Sequence, residues 1–363
     1  MSSKSITQLA FSQDLSETNP VFPQTRYQGS KLKLIDWIRL AVEDLKFDSA
    51  LDAFGGTGVV SYLFKQMGKA VTYNDNLKFN YQIGLGLIEN DNTRLSQDEI
   101  DSILTPRDQV TYPTFIADNF QDIFFTDEEN RWLDIVVANI REFSRQSNDR
   151  YKTALAFFAL YQAAIIKRPY NLFHRKNLYM RTAEVKRSFG NKITWDKPFE
   201  YWFRFFAEEA NRAVFSNSRQ CNALCMDVFD IPGNYDLVYI DPPYVSPNGV
   251  GVDYLEFYNF LEGITDYDNW PTRINYKTKH HSLKHQKSEW TDKKKIVDAF
   301  DRLFAKFQNS ILVVSYRDPG IPTNEQLIGL LNKYKTSVIE VNHTRYKYAL
   351  SNGDSSEQLL IAR

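Results

Sequence analysis

Between Ala50 and Asp75 the chain reads as an apolar strand, a glycine turn, a helix and a second strand that ends on an acid. The first strand, Ala50 to Phe54, is broken at once by Gly55-Gly56-Thr57-Gly58. Val59 to Met67 then takes up helical spacing, and Lys69 to Asp75 returns to strand character. A strand that turns on glycines into a helix and comes back as a strand is the opening unit of a doubly wound α/β sheet. Leu34 to Leu45 adds an amphipathic helix ahead of it, and two apolar runs, Tyr235 to Ile240 and Ser310 to Ser315, supply further buried strands. Near the end, Ser337 to Val341 and Gln358 to Ile361 flank a polar turn at Asn352-Gly353-Asp354, the pattern of a closing antiparallel pair.

The character changes between about Asn90 and Ser218. Helical patterns dominate there, at Glu128 to Phe143, Thr153 to Ile166 and Phe199 to Phe215. So long a stretch exceeds what a crossover needs. The expected organisation is therefore an arm over residues 1–23, a sheet domain built from 24–90 and 219–363, and a mostly helical domain inserted over 91–218. The composition, 43% hydrophobic and 25% charged, is that of a soluble globular protein. No apolar run is long enough to span a bilayer, the N-terminus has no signal-peptide pattern, and two cysteines do not make a disulfide scaffold; a cytoplasmic location is expected. Cys221 and Cys225 have no matching Cys or His cluster nearby, so no metal site is expected. The formal net charge of −1 means that any polyanion must be held by a local concentration of cations.

Three places carry chemistry. In Asp52-x-Phe54-Gly55-x-x-Gly58 the small residues let a nucleotide-like ligand approach the backbone at the carboxyl end of the sheet. The motif has neither the dinucleotide glycine spacing nor a phosphate-binding lysine, which argues against a nicotinamide dehydrogenase and a P-loop enzyme. Asp75 ends the next strand, where a carboxylate can accept hydrogen bonds from ribose hydroxyls. The sharpest signal is Asp241-Pro242-Pro243-Tyr244 after an apolar strand. Two prolines remove two amide donors and leave carbonyls that only accept. Beside the Asp241 carboxylate they form an acceptor pair suited to both hydrogens of an amino group, and Tyr244 offers a face for a planar ring. Holding both hydrogens steers the nitrogen lone pair toward attack.

With these motifs in view, the chain resembles the Dam-like family of adenine-specific DNA methyltransferases, in the motif order cofactor, target recognition, catalysis, from about Thr25 onward. Tyr27-Gln-Gly-Ser-Lys31 resembles the family's N-terminal cofactor motif, although Ser30 stands where the family often has Gly. The resemblance implies a Rossmann-like methyltransferase sheet that binds S-adenosyl-L-methionine and flips adenine out of double-stranded DNA. It implies cofactor contacts from Tyr27, Lys31, Asp52, Phe54, Gly55, Gly58, Asp75, Asp227 and Asp241, and catalysis by Asp241, Pro242, Pro243 and Tyr244, with Tyr244 stacked on the base. Val314-Ser-Tyr316 and Glu357 to Ile361 resemble later structural strands, and the resemblance implies either a modification enzyme with a cognate restriction endonuclease as partner or a solitary methylase. RNA base-amine methylation and a catalytically silent DNA binder stay open as alternatives.

From Lys167 to Lys197 nine Lys or Arg face two acids, with aromatics and asparagines interleaved. Cations hold phosphates, and Arg and Asn can read guanine and adenine edges. Lys167, Arg168, Arg175, Lys176, Asn177, Arg181, Lys186 and Arg187 are the expected DNA contacts. A second basic run, Arg273 to Lys295, contains His280, His281 and His285, none with an acidic partner at ligand spacing in the sequence; it reads as a surface loop near the DNA.

Overall fold

The computed structural model describes residues 20–183, 191–343 and 356–363. Most of the expected arm, Lys186, Arg187 and the turn at Asn352 to Asp354 lie outside them. Seven strands form one sheet: β1 (Ser49–Asp52), β2 (Ala70–Asn74), β3 (Asn222–Leu224), β4 (Leu237–Ile240), β5 (Ile311–Asp318), β6 (Val338–His343) and β7 (Ser356–Ala362). Their order is β3-β2-β1-β4-β5-β7-β6. The first five are paired in parallel, and β7 runs antiparallel to both β5 and β6, as the closing pair required. β3 has only three residues, too few for a periodic signal, and the sequence reading missed it.

Side chains alternate across the sheet and divide the core in two. Ala50, Tyr73, Leu237, Tyr239 and Val313 face one layer, which contains α1 (Ile35–Val42), α2 (Val59–Gln66) and α3 (Lys78–Gly84). Leu51, Val238, Ile240, Leu312 and Val314 face the other, with Phe300 and Leu303 of α8 (Ile296–Lys306) and Leu327 of α9 (Asn324–Leu331). Period-two alternation on strands covered from both sides gives the near-continuous apolar runs seen in the sequence.

The helical stretch contributes α4 (Asp127–Ser147), α5 (Arg150–Ile166) and α6 (Phe199–Ala213). A capping box between Thr126 and Glu129 starts α4. α5 is apolar around most of its circumference because it is buried around most of it, packed on α3 and α6. These helices share one continuous core with the first layer of the sheet.

The glycine turn after β1 has two fixed requirements. Gly58 opens α2 with φ +77°, a backbone region that favours glycine. Gly55 lies against the ring of Tyr73, where an added Cβ would come within 2.1 Å of a ring carbon. Tyr73 in turn donates its hydroxyl to the carbonyls of Gly56, at 2.8 Å, and Asn80, at 3.0 Å, so the turn is pinned from below.

Candidate active site

The sheet reverses its strand order between β1 and β4, and a cavity of about 490 Å³ opens beyond the carboxyl ends of the strands there. Tyr27, Lys31, Asp52, Phe54, Gly55, Asp75, Asp227, Asp241 and Pro243 line it, so motifs up to 216 residues apart meet around one cavity. Gly58, Pro242 and Tyr244 do not line it. Gly58 acts through the turn.

Asp75 uses one carboxylate oxygen on the Gly56 amide at 3.0 Å and the Asn80 side chain at 3.1 Å, and the other on the Leu77 amide at 2.9 Å. Burial raises its pKa to about 6, and those donors oppose the rise. Asp52 accepts from Ser61 at 2.7 Å, and burial raises it to about 7. One oxygen of Asp52 and the side-chain oxygen of Asn80 have no hydrogen-bond partner among the described residues. This wall is short of donors. Asp227 caps its own turn by accepting from Phe229 at 3.0 Å.

The opposite wall is an ionic cluster. Lys31 lies 2.6 Å from Asp241 and 3.4 Å from Glu357. The Tyr244 hydroxyl lies 2.7 Å from Asp241 and also contacts Glu357, and Ser315 donates to Glu357 at 2.6 Å. Burial works against charge on Lys31, but the two carboxylates outweigh it and hold the ammonium above its ordinary value. Burial raises Asp241 to about 6 against the pull of Lys31. The expectation that Tyr244 turns its ring face to the cavity differs from what is found: its hydroxyl is drawn inward by two carboxylates, and its ring packs edge-on to Tyr316 at 4.9 Å.

Tyr27 is the inner member of an aromatic stack, 4.5 Å from Tyr258 and 5.5 Å from Tyr254, with rings 7° and 12° from parallel. Both partners belong to α7 (Tyr254–Thr265), in a stretch the sequence left uninterpreted. The three tyrosines were too far apart in the chain to signal this contact. Asp253 caps α7 and bonds His285 at 2.8 Å, which raises His285 to about 9 through that hydrogen bond; His280 pairs with Glu256 at 2.7 Å. His280 and His285 do have acidic partners, supplied by a different segment, whereas His281 bonds the Asn119 carbonyl at 2.5 Å. His285 and Lys287 stand on the cavity rim.

The expected DNA contacts divide sharply. Lys167 is buried, its ammonium bonded to the carbonyls of Trp195 (2.8 Å) and Lys197 (2.6 Å) and to Glu129 at 2.9 Å. Arg168, 1% exposed, donates to the carbonyls of Leu172, Phe124 and Arg175 and to the side chain of Asn177, itself buried. Arg181 is held by Glu129 at 2.6 Å. The side chains of Lys167, Arg168 and Arg181 thus point donors at carbonyls, an amide and one carboxylate inside the protein, and the Asn177 side-chain oxygen accepts from Arg168. Arg175 and Lys176 are exposed. Among the described residues no group of His, Cys, Asp or Glu is placed to hold a metal, and no helix is long and apolar enough to cross a membrane.

Comparison with known proteins shows the family. Residues 27–318 match the family described as D12 class N6 adenine-specific DNA methyltransferase. Type II methyltransferase M2.HphI of Haemophilus parahaemolyticus is 31% identical over 94% of this chain and 98% of its own length. Type II methyltransferase M.NlaIII of Neisseria lactamica is 23% identical over 88% and 92%. Type II methyltransferase M.FokI of Planomicrobium okeanokoites is 25% identical over 85% of this chain but only 47% of its own. The chain belongs to the D12 class of adenine-specific DNA methyltransferases.

Proposed function

We propose that this enzyme takes its methyl group from S-adenosyl-L-methionine and places it on the exocyclic nitrogen of an adenine flipped out of double-stranded DNA at one short sequence. The observation that carries this reading is the position of Asp75 and Asp241 on two walls of one cavity at the strand-order reversal. The donor-poor wall fits a ligand rich in donors, and S-adenosylmethionine has ribose hydroxyls, an ammonium and an aromatic amine. Tyr27, Asp52, Phe54, Asp75 and Asp227 would hold it, with Asp75 on the ribose. The bound cofactor supplies a methyl group made electrophilic by a positively charged sulfur. Asp241 and the Pro242 carbonyl accept the two hydrogens of the adenine amino group and free the nitrogen lone pair. Tyr244 meets the base with its ring once its hydroxyl has left Asp241.

The helical stretch 91–218 serves as the target-recognition region in this reading. Two basic segments converge on α7: Phe173 donates its amide to the Phe257 carbonyl at 2.8 Å, and His280 pairs with Glu256. Arg175 and Lys176 on one side, and the exposed Lys277, Lys279 and Lys287 on the other, then flank the cavity as phosphate contacts. The names of the relatives favour a restriction-modification setting, with an endonuclease of the same specificity as partner.

Long-read sequencing with modified-base detection, on DNA from a methylation-deficient host expressing the chain, tests the proposal. Methyladenine at one recurrent short sequence is expected. Folded protein with unmodified adenine throughout would overturn it.

A further inference from the structure

We propose that Glu357 is a positioning residue for methyl transfer: it is the alternative acceptor that lets Lys31 and Tyr244 release Asp241 when the adenine amino group arrives. This rests on the reading of Asp241 as the acceptor for that amine. In the structure both oxygens of Asp241 are already taken, one by Lys31 at 2.6 Å and the other by the Tyr244 hydroxyl at 2.7 Å. The incoming amine needs one of them. A buried donor displaced without a new acceptor loses its full hydrogen bond, which opposes base entry.

Glu357 removes that obstacle by geometry. One and the same oxygen of its carboxylate lies 3.4 Å from the Lys31 ammonium and within hydrogen-bond reach of the Tyr244 hydroxyl. Tyr244 has a single proton, so it serves Asp241 or Glu357 at any moment, and moving between them needs only a rotation of the hydroxyl. Glu357 is 1% exposed, so water is no ready substitute as acceptor. Ser315 fixes that same oxygen at 2.6 Å, and β7 pairs Glu357 opposite Arg317 of β5. Glu357 does not line the cavity and acts only through Asp241, Lys31 and Tyr244.

The test is kinetic. Purified full-length Glu357→Gln, whose neutral amide is the poorer acceptor, is expected to lose about 30-fold in kcat on duplex DNA, with the Kd for DNA changed less than about threefold. The distinguishing readout is the double variant: Tyr244→Phe keeps the ring and removes one of the two donors that compete for Asp241. Glu357→Gln/Tyr244→Phe should therefore be several-fold faster than Glu357→Gln alone. If the double variant is slower still, Glu357 is only structural and the inference falls. Glu357→Asp, which keeps the charge and withdraws the acceptor, asks the same question should Glu357→Gln not fold. An active wild type matched by Glu357→Gln would overturn this role alone. A wild type that methylates no adenine would overturn the reading beneath it, and this inference with it.

Discussion

Two of the places where the molecule buries cations are built differently. Around Glu129 in the helical stretch, Lys167 and Arg168 direct most of their donors at main-chain carbonyls, and Arg181 is held by Glu129. At the sheet, Lys31 sits between two carboxylates beside a cavity. A cation whose donors are used up on the backbone locks a loop in one shape. A cation shared by two acids can redistribute, because either acid can take over what the other gives up. Burial is common to both clusters; what separates structure from chemistry is whether the acceptors can exchange.

The largest effect expected is on the exchanging side. Asp241→Ala should lower methyl transfer by at least about 1000-fold while folding and DNA binding persist; residual activity above a few per cent would remove Asp241 from the chemistry. On the locked side, Arg168→Ala leaves several carbonyls and Asn177 without a donor. It should destabilise the protein by about 3–5 kcal/mol in urea unfolding, and a variant as stable as wild type would end the distinction drawn above.

The exposed neighbours of Arg168 sharpen the contrast. Arg175→Ala with Lys176→Ala should leave stability alone, weaken duplex binding by roughly tenfold and reduce the salt slope by up to about 2. An unchanged slope would show that these two cations touch no phosphate. The last effect concerns Asp52. Its pKa of about 7 lies above the ordinary 3.8, so the folded chain holds this proton more tightly than the unfolded one between those limits. Ionising Asp52 therefore lowers stability as pH rises from about 4 to about 7. Asp52→Asn should gain on wild type across that window, by on the order of 4 kcal/mol at the upper end. A constant difference in melting temperature across the window would contradict this.

The sequence shows Asp52, Asp75 and Asp241 clearly because each lies at or just beyond the carboxyl end of a parallel strand, and such ends always meet along one edge of a doubly wound sheet. Position along the chain then determines position in space. It shows Glu357 poorly, since an acid in a late strand looks like a solvated edge until β7 is known to lie between β5 and β6. The stack of Tyr27 on Tyr254 and Tyr258 was hidden for the same reason. The basic stretch misled in the opposite direction: a run of charge records sign and spacing, but not whether a guanidinium ends on a phosphate or on the carbonyl of Phe124.

The placement of β7 bears on how the enzyme is made. It is the last strand in the chain, yet it is an interior strand, inserted between β5 and β6. Until it arrives, β5 has an open edge able to pair with other chains, and Lys31 lacks its second acid. Closure of the sheet over β5 and the pairing of Lys31 with its second acid are therefore one structural event.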